Sequence, residues 1–313
     1  MDVKVMNNAA NNLRVLIAEM VEKSKSGHPG GAMGGADFIN VLYSSFLVYD
    51  PADPKWFARD RFFLDPGHMS PMLYSILALT GKFTIEDLQN FRQWGSVTPG
   101  HPEVDVERGI ENTSGPLGQG HVMAVGAAIA ERFLAARFGE VVAHKTYAFI
   151  SDGGIQEEIS QGAGRIAGKL GLSNLIMFYD SNKVQLSTNV SDVTNEDTAA
   201  KYRAWHWNVI EVDGTDPLAI AGALQQALEE KEKPTLIIGN TIMARGAVDA
   251  EGNSLEGSIA THGQPLSAAG ADIDKTVANL GGDPENPWVI REDVKNLYAA
   301  RAEELKKIVA VRR

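Results

Sequence analysis

Ser151-Asp152-Gly153-Gly154 and Asp180-Ser181-Asn182-Lys183-Val184, whose asparagine lies thirty positions beyond Asp152, combine the residue types that hold a divalent cation carrying a diphosphate. A hard cation such as Mg2+ takes oxygen ligands; a carboxylate, a side-chain amide and a backbone carbonyl supply three, and the diphosphate supplies more. Gly153 and Gly154 let the backbone approach a phosphate and present N–H groups to it at a helix start. Of the seven histidines, His28, His68, His101 and His262 lie in Gly/Pro-rich stretches, a poor context for core packing and a good one for a site. Imidazole titrates near neutrality, with one ring nitrogen donating while the other accepts, so it suits proton transfer on a bound substrate. The other three read differently. His144 lies in a polar connection, His206 sits between Trp205 and Trp207 in a surface or packing position, and His121 follows Gly118-Gln119-Gly120 as a helix-start residue. Turn chemistry alone also places Asp-Gly at a strand end and Asn near the next strand, so the surrounding elements have to carry the argument further.

Apolar runs at 146–150 and 174–179 precede the two segments and have strand length. Asp152 and Asn182 are therefore expected at the ends of two strands. Between them Ile155, Ile159, Ile166 and Leu170 recur near the helical period, and Gly171 stops the pattern. This predicts a βαβ unit, and the carboxyl edge of an open α/β sheet is where ligands bind. Helices are further expected at 8–24, 36–46, 84–93, 120–137, 216–230 and 291–310, with strands at 208–212 and 235–240. The alternation predicts an α/β fold, a mostly parallel sheet covered by helices on both faces.

Five further segments occur in order: Ser26-Gly27-His28-Pro29-Gly30; Arg59-Asp60-Arg61-Phe62 leading to Gly67-His68; Thr98-Pro99-Gly100-His101-Pro102-Glu103; Gly115-Pro116-Leu117-Gly118-Gln119-Gly120; and Thr261-His262-Gly263-Gln264-Pro265-Leu266. Together with the cation motif they make residues 10–270 resemble transketolase, a thiamine diphosphate enzyme. The resemblance implies a thiamine diphosphate-binding domain over 1–270, with 271–313 as connector and C-terminal helix. It also implies residue roles. Asp152, Asn182 and the Val184 carbonyl ligate Mg2+, for which Ca2+ or Mn2+ could substitute. His68 and His262 bond the diphosphate, while His28 and His101, with His262, serve catalysis at the substrate. Leu117 packs on the thiazolium, Gly115 offers its backbone to the aminopyrimidine, and Gly153 lies along the cofactor. Several positions depart from the family pattern: Ser151 stands for glycine, Gly162 for an acidic residue, Asp65-Pro66 for Ser-Asn, Met69 for glycine and His121 for an apolar residue. Glu157 matches a family glutamate at the subunit contact.

A transketolase is roughly twice as long, and neither its pyrimidine-binding domain with the activating glutamate nor its sugar-phosphate-binding basic residues have a match here. The resemblance thus implies a chain inactive alone. Either it is a truncated piece or a separate C-terminal, pyrimidine-binding transketolase subunit completes it, as in two-subunit bacterial transketolases. A homodimer alone and an α2β2 assembly with that partner are expected, with Glu157 and the 115–120 turn near the interface. The implied reaction moves a two-carbon ketol unit from a ketose phosphate to an aldose phosphate. A related two-subunit transferase for a branched or sulfonated sugar, and a non-catalytic cofactor-binding subunit, are the alternatives. Net charge −11 argues against nucleic acid or an anionic membrane as partner. The chain has no cysteine, no signal-peptide pattern and no bilayer-length apolar run, so a cytoplasmic location is expected.

Overall fold

In the computed structural model, which describes residues 1–313, the two apolar runs that flank the aspartate motif are neighbouring parallel strands. The five strands are β1 (Arg61–Leu64), β2 (Thr146–Ser151), β3 (Leu175–Ser181), β4 (Asn208–Asp213) and β5 (Thr235–Asn240). They form one sheet in the order β1-β2-β3-β5-β4, and every pair is parallel. Ser151 lies opposite Asp180 in the register, so Asp152 and Asn182 leave the sheet side by side at its carboxyl edge. Every residue of β2 and β3 is buried, as parallel strands covered on both faces must be.

The helices are α1 (Val3–Ser24), α2 (Pro29–Gly34), α3 (Ala36–Val41), α4 (Ser70–Leu79), α5 (Ile85–Gln89), α6 (Gln119–Phe138), α7 (Asp152–Gln156), α8 (Glu158–Leu170), α9 (Thr198–Ala204), α10 (Pro217–Glu229), α11 (Ile273–Asn279) and α12 (Glu292–Arg312). The period of two along the strands divides the core. Tyr147, Phe149, Ile176 and Phe178 face a larger cluster that includes Leu13, Leu16, Phe38 and Leu73 from α1, α3 and α4. Ala148, Ile150, Leu175 and Met177 face a smaller one that includes Ala124, Ala167, Tyr202 and Trp207. Helix α12 lies against α1, with Asn8 Nδ2 donating to Asp293 at 2.8 Å. No helix is long and apolar enough to cross a membrane.

The expected strands at 146–151, 174–179, 208–212 and 235–240 are present, but the helix expected at 155–170 is not one helix. Glu157 adopts an extended conformation (φ −61°, ψ 137°) and separates α7 from α8. The isoleucine stripe also points the other way from the core: Ile159, Ile166 and Leu170 are 48%, 51% and 51% exposed. The buried face of α8 consists of Ser160, Ala163, Gly164, Ala167 and Gly168 with Gln161. Small residues are required there, because a Cβ on Gly168 would lie 1.7 Å from the Trp205 carbonyl oxygen. Trp207 Nε1 donates to the Gly164 carbonyl at 2.8 Å. Close approach on the inner side thus leaves the large apolar side chains outside. Strand β1 and helix α4 were not expected from the pattern: β1 has four residues, and α4 is buried all round, so it shows no amphipathic period. The helix expected at 84–93 is only the five residues of α5, begun by a Thr84–Asp87 capping box. Residues 273–279 of the expected connector are α11.

Candidate functional site

At the carboxyl edge of β2 and β3 lies a cavity of about 410 Å³ whose lining includes His68, Leu117, Asp152, Gly153, Asn182, Val184 and His262. Seven residues singled out from the sequence therefore share one space. A groove of about 950 Å³ at the opposite, amino-terminal edge of the sheet runs beside His144, Lys145 and Arg312 and contains none of them. Size alone does not mark the site; convergent polar groups do.

Asp152 opens α7, preceded by Ser151, whose hydroxyl accepts from Gly154 N at 3.3 Å and caps the helix. The serine that departs from the family pattern therefore supplies the cap. One carboxylate oxygen of Asp152 accepts from the Tyr179 hydroxyl. The other accepts from the backbone N–H groups of Asn182 (3.1 Å) and Lys183 (3.0 Å). Lys183 has φ 68°, a left-handed conformation uncommon outside glycine, which aims both amides at one oxygen. Asn182 Oδ1 accepts from Val184 N at 3.0 Å, and the Val184 carbonyl takes no backbone hydrogen bond. These are oxygen donors of the kind a hard cation selects. No group of three or more His, Cys, Asp or Glu side chains in the chain is placed to hold a metal ion by itself.

Three histidines stand together at this edge. Ring centroids are 4.9 Å apart for His28–His68, 5.6 Å for His68–His262 and 5.9 Å for His28–His262. Burial lowers His28 to about 4, with further lowering from His262, Arg92 and His101. Burial, then neighbouring His28 and His262, holds His68 well below its ordinary value. Burial likewise lowers His262 and His101. These imidazoles are neutral near pH 7 and act through one donor and one acceptor each rather than as cations. Nδ1 of His28 and Nδ1 of His262 are buried without any hydrogen-bond partner, an arrangement a ligand would satisfy. His101 is exposed and lies beside Gly67, where a Cβ would come within 3.1 Å of its ring. His28, His101 and Gly115 do not line the 410 Å³ cavity itself. Among the other histidines, His121 is fully buried near Tyr202 and Trp207, His144 is buried with Nδ1 2.9 Å from the Val142 carbonyl, and His206 is exposed.

Two aspartates that lie within or beside the motifs, but carried no expected role, tie these segments together. The buried Asp65 carboxylate accepts from Gly118 N (3.1 Å) and His121 N (3.0 Å), anchoring the start of α6, and its carbonyl accepts from Ser114 Oγ at 2.6 Å. Burial raises it to about 6. Asp180 is wholly buried at the end of β3, lines the cavity, and is raised to about 7 by burial, with Asp152 adding to the rise. Burial also raises Asp152. Asp180 stands in the sequence beside Asn182, and its spacing was the available signal. Asp65 gave no signal of this role, since its partners lie 49 to 56 positions away.

The profile of the family described as "Transketolase, thiamine diphosphate binding domain" matches residues 5–311. The chain belongs to the transketolase family. It is 47% identical over 263 residues to transketolase 2 of Escherichia coli (strain K12), covering 82% of this chain and 39% of that protein. It is 44% identical over 295 residues to transketolase 2 of Xanthobacter flavus, covering 92% and 42%. The fold matches a crystal structure of transketolase from Campylobacter jejuni with a TM-score of 0.92 and 39% identity, over all of this chain and 48% of that one. A transketolase from Pichia stipitis in complex with sedoheptulose-7-phosphate gives the same TM-score at 36% identity, over 98% and 45%. The chain thus spans less than half the length of these relatives, and it is the N-terminal, thiamine diphosphate-binding part of the transketolase architecture.

Proposed function

We propose that this chain is the diphosphate-binding subunit of a thiamine diphosphate- and Mg2+-dependent transketolase, completed by a separate pyrimidine-binding polypeptide, that moves a two-carbon ketol unit between sugar phosphates. The observation that carries the reading is the pairing of an oxygen-donor floor, Asp152, Asn182 and Val184, with a wall of neutral histidines in one cavity. The residues fit the cofactor: two imidazole nitrogens are buried without partners, and Gly153 leaves room that a Cβ would take to within 2.9 Å of Leu117. When bound, thiamine diphosphate supplies the carbanion chemistry and the electron sink.

Asp152, the Asn182 amide oxygen and the Val184 carbonyl hold the cation, and Ca2+ or Mn2+ can take its place. His68 and His262 donate to the diphosphate. Leu117 would pack on the thiazolium, Gly153 would lie along the cofactor, and Gly115 would offer its backbone to the aminopyrimidine. His28 and His101 orient the hydroxyl and carbonyl oxygens of the sugar and carry protons to and from them, a task for which neutral imidazole is suited. Sugar phosphates as substrates are supported by the relative solved with sedoheptulose-7-phosphate.

The exposed stripe of α8, together with Val122, Met123, Ile129 and Phe133 on α6, supports a homodimer. Helices α6 and α8 pack on one another, so the two stripes share a surface, and patches of this kind mark contacts on otherwise polar proteins. Two copies of the partner then complete an α2β2 assembly. The test mixes the chain with a polypeptide matching the remaining part of its relatives, thiamine diphosphate and Mg2+, and follows ketol transfer across a panel of ketose and aldose phosphates. Transfer by the mixture and not by either chain is expected. Turnover by this chain unaided overturns the two-subunit reading, and cofactor binding without any transfer overturns the activity.

A further inference from the structure

Asp180 is a carboxylate with no exposed surface. Its hydrogen bonds come from two side chains: the Thr241 hydroxyl, just past the end of β5, donates to Oδ1, and Asn182 Nδ2 donates to Oδ2 at 3.0 Å. No Lys or Arg pairs with it, and the charged group nearest in effect is another carboxylate, Asp152. A buried, unpaired carboxylate costs stability and is more readily replaced by a neutral group than retained on structural grounds. Its geometry has one evident consequence. Asp180 takes the Asn182 NH2 group while the Val184 N–H donates to Asn182 Oδ1 at 3.0 Å, so the two contacts together set which end of that amide is oxygen, on a residue that lines the cavity.

We infer that Asp180 is a positioning residue for a divalent cation: by accepting from the Asn182 NH2 group it helps hold that amide with its oxygen free for the cation. The inference rests on the cation site proposed above and adds to it a residue outside the ligand set. Carboxylates hydrogen-bonded to metal ligands do this generally, orienting the ligand and raising its basicity. Thr241 completes the arrangement by holding the other oxygen, so the carboxylate is anchored from β5 while it reads the amide on the loop after β3. An amide at position 180 can present its own NH2 to Asn182 and favour the flipped amide, which turns a donor instead of an acceptor toward the cation.

The test compares Asp180→Asn, Asp152→Ala and the unmodified full-length chain, with Mn2+ as probe, by electron paramagnetic resonance and calorimetry in the presence of thiamine diphosphate. Urea denaturation is measured in parallel without metal. Asp180→Asn is expected to weaken Mn2+ binding by about 10- to 100-fold. At the same time it should leave stability at pH 7.5 unchanged or raised, because an amide of the same shape replaces a buried carboxylate that no Lys or Arg pairs. A purely structural carboxylate would show the opposite pattern, lower stability with Mn2+ affinity intact. Unaltered Mn2+ affinity in Asp180→Asn, with affinity lost in Asp152→Ala, overturns the role of Asp180 and leaves the cation site standing. Equal Mn2+ binding by Asp152→Ala and the unmodified chain, or none by either, overturns both.

Discussion

Replacing Ile166 with glutamate tests the outward stripe of α8 as a two-fold contact. Ile166 is 51% exposed in the single chain. Full burial of such a side chain stabilises by about 1.5–3 kcal/mol, so covering the exposed half contributes about 1 kcal/mol per copy and about 2 kcal/mol across a two-fold interface. Losing that alone weakens association about 30-fold, at roughly 1.4 kcal/mol per factor of ten. Two carboxylates placed at the covered surface then pay desolvation of further kcal/mol each, which takes the expected change beyond about a thousandfold. The folded chain itself should be little affected, since the side chain is half in water and the inner face of α8 is untouched. Sedimentation velocity over a concentration series reads the outcome: dimer for the unmodified chain at micromolar concentration, monomer for Ile166→Glu. Val311→Glu, on a side chain 88% exposed at the end of α12, controls for added charge and should remain dimeric. A monomeric unmodified chain, or an Ile166→Glu chain that dimerises as before, would refute the assignment of this face.

Asp152→Ala should abolish Mg2+-dependent thiamine diphosphate binding, measured by calorimetry on the assembled enzyme, while the fold persists at reduced stability because the Tyr179 hydroxyl and two backbone N–H groups lose their acceptor; unchanged affinity removes Asp152 from the site. His101→Ala should lower kcat far more than cofactor affinity, since a group acting on the reacting sugar contributes mainly in the transition state; normal turnover at saturating cofactor contradicts that role. His121 carries two unpartnered ring nitrogens and is lowered to about 4 by burial. The unfolded chain therefore binds a proton that the folded chain refuses between about pH 6.5 and 4, and stability on the order of 3 kcal/mol is lost as pH falls through that window. His121→Leu should flatten the fall in urea-denaturation stability from pH 7 to pH 4.5, and parallel curves for the two proteins would rule out the titration.

The sheet was legible where burial leaves a continuous apolar run between turn residues, as in 146–150 and 174–179. It was illegible where the period vanished: α4 is buried all round, and β1 is short enough to pass for part of a loop. The error at α8 is the more instructive. Periodicity reports that a helix has an apolar face but not which way that face points. The core side is occupied by glycine and alanine because the Trp205 carbonyl and the Trp207 indole press against it, and those contacts span more than thirty positions. An apolar stripe opposite a stripe of small residues marks a helix packed tightly inward, with its large side chains left exposed on the outer face.

The site divides along the same line. Residues whose chemistry is carried in a short motif, Asp152, Asn182, Val184 and the histidines in glycine-rich turns, could be named from spacing, because the backbone that aims them is local. The left-handed Lys183 and the capping Ser151 both lie within the motifs they serve. Residues that set the distances between motifs could not. Asp65 holds the start of α6 at the end of β1, and a Cβ on Gly154 would fall 2.3 Å from its carboxylate, so one buried side chain fixes the separation of the histidine, leucine and aspartate segments. Lowered histidines and raised aspartates follow from the same burial. With its imidazoles neutral and two carboxylates beneath the cavity, this edge offers an anion little side-chain charge beyond Lys183, whose ammonium donates to Ser181 Oγ at 2.7 Å. Under the function proposed above, a diphosphate would arrive here with a cation, and the oxygen donors that follow β2 and β3 would bind the pair together.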